Sequence, residues 1–295
     1  MSLPEPLRPV TGEMGLVTDL PDLARRVVRA WDLFVPIAES VDLSGPTRSR
    51  GNSARDLLIP LGAWPDARGL HGMVADAHAG VHEVESESSA EKRLRAAHRD
   101  ATDDEVRTAL RTAREHLRAW VTGPDLATEA PLVTASPLGP VPIGTMVHAA
   151  AFQLAVIARD LRPAGADESP ELDALAVVSL VDSSGAVAAR LDATASIAAV
   201  TPAVSAGVGA LPGAWRTVVT TDGDALGPAV LGPAGLLVDI AAGRVDLLEL
   251  VRRLRLRDGR GLVGMSVVLD GIPDLPAAGL LGRVGGLLRR GRFPG

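Results

Sequence analysis

The chain has 295 residues, 46% of them hydrophobic and 22% charged, which is too long for most single cores and too apolar for wholesale disorder, so two domains are expected. A formal net charge of −6, with three Phe, four Trp and no Tyr, argues against nucleic acid as a partner, because an acidic surface repels phosphate and too few rings remain to stack bases. Cysteine is absent, which excludes disulfides, thiolate metal ligands and a cysteine nucleophile; any sulfur nucleophile would have to come from a cofactor.

The start of the chain lacks a basic stretch followed by an apolar one, since Glu5, Glu13, Asp19 and Asp22 interrupt it, so no secretion signal is read there. The long uncharged stretch 193–215 contains Pro202 and Pro212 and reads as strand and loop, so no membrane span is expected and the protein is read as cytoplasmic. After Asp19, Leu20, Leu23, Val27, Trp31, Phe34 and Ala38 recur at helical spacing, with Pro36 expected to kink or shorten the helix. A second helix opens at Asn52 or Ser53, carries Leu57, Leu58 and Leu61, and is stopped by Pro65. A third begins at Thr102, where Thr102 and Glu105 have capping-box spacing ahead of Val106, Leu110, Ala113, Leu117 and Val121. There Asp103, Asp104 and Glu105 suit the positive end of the helix dipole. A fourth, over 142–161, has few polar side chains besides Thr145, His148 and Gln153 and should be buried on most sides. Four such helices predict a bundle over 1–165.

The Pro/Gly/acidic run 162–170 marks the expected boundary to a second domain over 166–295. Asp182-Ser-Ser-Gly185 and Asp222-Gly-Asp224 have turn chemistry; the first predicts a hairpin between 176–181 and 186–191, the second a turn after a strand over 215–221. Helices are expected over 233–242, with Gly243 as its C-cap, and over 245–257, giving an α+β fold overall. The basic residues Arg252, Arg253, Arg255, Arg257 and Arg260, with Arg289, Arg290 and Arg292, read as a solvated helix face and a tail, or as an anion- or partner-docking edge.

The segments Gly51-Asn-Ser-Ala-Arg-Asp-Leu-Leu-Ile-Pro-Leu-Gly62 and Val147-His-Ala-Ala-Ala-Phe-Gln-Leu-Ala-Val-Ile-Ala-Arg-Asp-Leu161, in this order of elements, resemble the actinobacterial mycothiol-dependent maleylpyruvate isomerase family. That resemblance implies a DinB-like four-helix bundle. Leu236-Leu-Val-Asp-Ile-Ala-Ala-Gly-Arg244 resembles the sterol-carrier-like domain behind it. It also implies a zinc ion held by one His on helix two and a Glu-x-x-x-His pair on helix four, residues four apart sharing a helical face. An open coordination position would bind mycothiol as a thiolate. The pattern is only partly present. The family's Trp-Thr-x-Arg-Asp is Asn52-Ser-Ala-Arg-Asp56 here, the expected helix-two His is Pro60, and the expected helix-four Glu is Gly144; His148 alone keeps its place. One imidazole does not hold zinc against water, so the inherited site is expected to be empty.

The six histidines lie at 71, 78, 82, 98, 116 and 148, none beyond the middle of the chain. His148 reads as a neutral core histidine, or as a relic ligand or general base. On one helix His71, His78 and His82 would fall within about 40° of each other, but His71 and His78 would be about 10 Å apart along the axis, too far for one ion. His78 and His82 could form a two-ligand clamp completed by Glu83, Glu85 or another histidine, although Gly69, Gly72 and Gly80 argue against a continuous helix. Arg244 closes the second domain's motif, where it could meet an anionic ligand between domains or the carbonyls of a helix end. No nucleophile elbow, phosphate loop or dinucleotide fingerprint is present. Three functional readings follow: a non-catalytic small-molecule or protein-binding module with a depleted metal site; an active mycothiol-dependent isomerase or S-transferase; or a bundle whose zinc is held by non-family ligands such as His78 and His82.

Overall fold

A computed structural model describes residues 3–81, 83, 85–245, 252, 253 and 255–257. The fold is α+β, and the chain divides into two compact units, Leu20–Leu172 and Met1–Asp19 with Asp173–Gly295. The first 19 residues, expected in the bundle, therefore belong with the second unit, and the division falls at 172/173.

In the helical unit, α1 (Leu20–Ser40) buries Leu23, Val27, Ala30, Phe34, Val35 and Ala38. It runs through Pro36, which forfeits one backbone hydrogen bond; burial of Val35 and Ala38 around it keeps the last turns helical. The second helix is short: α2 (Ala54–Leu58) continues only as a tight turn over Ile59–Leu61. Two helices not anticipated follow, α3 (Gly69–Ala79) and α4 (Glu87–Ala97). α5 (Asp103–Thr122) starts with the expected reciprocal Thr102–Glu105 capping box and buries Val106, Leu110 and Leu117. Asp32 on α1 takes Arg118 of α5 at 2.7 Å, tying the two helices. After the one-turn α6 (Leu126–Glu129), a small antiparallel pair, β1 (Val133–Thr134) and β2 (Val141–Pro142), leads into α7 (Ile143–Asp160), which is largely buried as expected.

The 21-residue helix α8 (Pro170–Arg190) crosses the division between the units, and its first turn is tied back to α1 by the two-pronged Arg29–Glu171 ion pair. α8 overturns the hairpin expected around Asp182-Ser-Ser-Gly185. The turn residues have other uses: Ser184 returns its hydroxyl to the Leu180 carbonyl at 2.7 Å, and Gly185 is a close approach, not a bend. A Cβ at Gly185 would lie 2.3 Å from Val208 Cγ2 and 2.8 Å from Trp215 Cδ1, so packing against the sheet requires a glycine there despite its poor helix propensity. By length and composition α8 alone among the described helices could cross a membrane, but 78% of its apolar window is buried inside the structure, as in a core helix.

The sheet of this second unit comprises β3 (Ala195–Val200), β4 (Ser205–Leu211), β5 (Ala214–Thr220), β6 (Ala229–Leu231) and β7 (Arg255–Arg257), in the order β5-β4-β3-β6-β7. Among these strands, β3 and β6 pair in parallel and the other neighbours antiparallel. A helix was expected to continue through 245–257; Arg252 and Arg253 are helical, but Arg255–Arg257 instead pair with β6, because an open strand edge outweighs local helix propensity. Residues 246–251 and 254 of that expectation, and the tail beyond 257, lie outside the described residues.

Strand alternation sends Val208, Ala210, Trp215 and Thr217 to the α8 face of the sheet and Gly207, Gly209 and Arg216 to the other. Across that second face lies the N-terminal segment. Leu7, wholly buried, clusters with Ala198, Leu226 and Ala229, and its carbonyl oxygen would be 2.0 Å from a Cβ at Gly209, so β4 must be bare there. The segment then follows the free edge of β5, where Glu13 accepts from the Trp215 N–H at 2.9 Å and pairs with Arg216 at 2.8 Å.

Asp182 closes this arrangement. Wholly buried on α8, its Oδ1 accepts from Thr217 Oγ1 at 2.6 Å, Trp215 Nε1 at 3.1 Å and the Leu16 N–H at 3.3 Å. Helix, strand and N-terminal segment thus share one acceptor. Gly15 beside it has φ +52, and a Cβ there would fall 2.2 Å from Asp182 Oδ1. Replacing Asp182 by Ala leaves three donors without this acceptor, at about 1–3 kcal/mol for each that stays buried. Asp182→Ala is therefore expected to lose at least about 3 kcal/mol in denaturant titration, with Trp215→Phe losing distinctly less.

Candidate functional site

The motif region of the helical unit is built from α2 and α7. Ser53 caps α2: its N–H and hydroxyl both donate to Asp56 Oδ2, at 2.8 and 2.7 Å, while Ser53 Oγ accepts from the Asp56 N–H. The Asp56 carboxylate is thus engaged in starting the helix. Arg55 holds the Ala101 carbonyl and Asp103, joining α2 to the start of α5. Pro60 lies in the tight turn after α2, and Gly144 in the first turn of α7, where its N–H donates to the Ala130 carbonyl at 2.9 Å. One turn later His148 is fully buried and interacts with a neighbouring group. Thr145, equally buried, has a hydroxyl with no hydrogen-bond partner among the described residues.

An open zinc site takes three protein donors of the His, Asp, Glu or Cys type. At the three positions the motif assigns, Pro60 and Gly144 have no donor atom, and His148 supplies one nitrogen. The residues present do not fit the metal. Among the described residues no group of three or more His, Asp or Glu is placed to hold one.

The remaining histidines are distributed over α3, α4 and α5. α3 is continuous through Gly72 and ends at Ala79, with Gly80 at φ +67 and the Val81 N–H returning to the Asp76 carbonyl. His78 is exposed on its last turn; His82, the other half of the expected clamp, lies outside the described residues. His71, also exposed on α3, instead meets His116 of α5, their rings 5.2 Å apart and inclined at 62°. This pairing carries no local sequence signal, because the two residues are 45 positions apart and only the packing of α3 beside α5 joins them.

His98 follows α4 and is stacked on Trp64 at 4.0 Å, its Nε2 donating to Asp66 Oδ1 at 2.7 Å. Trp64 in turn donates to the Ile59 carbonyl, and Arg93 reaches Asp66 at 3.1 Å. The Asp66 carboxyl is held below the usual range, chiefly by the His98 hydrogen bond, with the charges of His98 and Arg93 adding to it against a counteracting desolvation. Glu87 on α4 is displaced the other way by desolvation and then by Glu91, and accepts from Gln153 of α7 at 3.1 Å. In the second unit Arg244 is exposed just past α9 (Ala234–Ala241). Gly243 there is at φ +67, and the Arg244 N–H closes the helix end on the Asp239 carbonyl at 2.7 Å. Arg244 has a further interaction within the structure.

Neither a protein-family model nor a curated protein matches the chain. Among solved structures, mycothiol-dependent maleylpyruvate isomerase and a mutant of it are similar, each at 16% identity and a TM-score of 0.48 over 82% of this chain and 93% of that one. Likeness of this degree assigns neither family nor activity.

The Asp66 cluster makes a pH prediction. A carboxyl whose folded pKa is depressed contributes stability above its unfolded value, about 3.9, that is lost as pH falls through the lower folded value. The stability difference between wild type and Asp66→Asn should therefore shrink below about pH 4. Denaturant titrations at stepped pH measure it; a difference undiminished down to pH 2.5 would remove the depressed carboxyl from the account.

Proposed function

We propose that this chain is a binding module of the mycothiol-dependent maleylpyruvate isomerase type that lacks the family's metal-dependent catalysis. Its occupant is a small molecule or a protein ligand taken up by the helical unit. The observation that carries this reading is the donor set. Proline and glycine stand where the family pattern needs His and Glu, and the one retained ligand, His148, is sealed in α7. With no metal ion to bind it as a thiolate, a thiol placed here lacks the family's route of activation. Mycothiol, if it is the occupant, is then held as a ligand and not activated as a nucleophile. The buried Thr145 hydroxyl, three residues before His148, has no hydrogen-bond partner among the described residues.

Metal content and binding test the reading together. Untagged protein expressed with added zinc, then exchanged into metal-free buffer, should contain no zinc that depends on His148. Wild type and His148→Gln are expected to give the same zinc content by mass spectrometry. Near-stoichiometric zinc in wild type that is lost in His148→Gln would overturn it, as would mycothiol-dependent isomerisation of maleylpyruvate abolished by that substitution.

A further inference from the structure

We propose that His71 and His116 form a metal-binding clamp between α3 and α5, taking a borderline divalent transition ion such as zinc or nickel. The argument begins from ring separation. In a tetrahedral site with metal–nitrogen bonds of about 2.05 Å, each imidazole centre lies about 3.2 Å from the ion, and two such centres about 5.2 Å apart. The observed separation is 5.2 Å. Two rings in plain edge contact occupy the same range, so the distance alone permits the site; their surroundings add the rest.

Neither imidazole has a hydrogen bond or ion pair among the described residues, which leaves their nitrogens open to solvent and to a ligand. Both residues are exposed, so an ion arrives without opening the core and keeps water on its remaining positions. Among the described residues no third His, Asp or Glu is placed with the two rings to hold an ion. The site is therefore nitrogen-only, which favours zinc, nickel or copper and disfavours magnesium and calcium. Because one ligand comes from each helix, an ion bound by both also staples α3 to α5 and stabilises the fold by mass action. Nothing here depends on the position occupied by His148.

Titration of untagged, chelator-stripped full-length protein with NiCl2 and ZnCl2, followed by calorimetry and thermal unfolding, tests the clamp. One saturable site per chain and a rise in Tm are expected, both absent with MgCl2. Both should be lost in His71→Gln and in His116→Gln and kept in His78→Gln. Two results would overturn the clamp: no saturable binding, or binding that survives replacement of both His71 and His116. Binding lost in His148→Gln and kept in the double variant would contradict the reading of the α7 position as well, so the two failures are distinguishable.

Discussion

Polar groups taken out of water must find partners, and the second unit is arranged around one that does. Asp182 has three donors on a single oxygen, one from the N-terminal segment and two from β5. Neither the N-terminal segment nor β5 can move away from α8 without stranding a buried group. Glycine at 15 and 185 is the geometric counterpart, because a side chain at either position would occupy the space of the Asp182–Trp215 contact. The assignment of residues 3–19 to this unit rests on the same network, together with Leu7 over the bare face of β4.

The same accounting applies to the motif region of the helical unit. Its motif segments are present as structure: Ser53 and Asp56 start α2, and α7 holds His148 in its buried face. What is missing is donor chemistry, at Pro60 and Gly144. The carboxylates near at hand are committed to helix caps and arginines, as Asp56 is to Ser53 and Asp32 to Arg118. Imidazole nitrogens without such commitments occur instead at the surface, where α3 meets α5.

Long amphipathic helices were legible in the sequence because their signals are local. The Thr102–Glu105 box, the α1 stripe and the Gly243 helix end all depend on residues within a few positions of each other. The misread elements are those decided by distant partners. Asp182-Ser-Ser-Gly185 has the composition of a turn, and only the approach of Val208 and Trp215 explains why a helix carries a glycine there. Arg255–Arg257 has helical neighbours but is taken by the edge of β6. For α3, three glycines suggested a break; Gly80 is that break, while Gly69 and Gly72 are absorbed into the helix. In the candidate site the losses at Pro60 and Gly144 were visible in the sequence, since a missing donor needs no coordinates to be seen. The His71–His116 contact had no local signal at all.

Anomalous X-ray scattering at the zinc edge, from crystals of the full chain equilibrated with zinc, addresses donor placement most directly. The account predicts a peak between the His71 and His116 rings and none within bonding distance of His148. A tightly ligated ion on the His148 imidazole would contradict it.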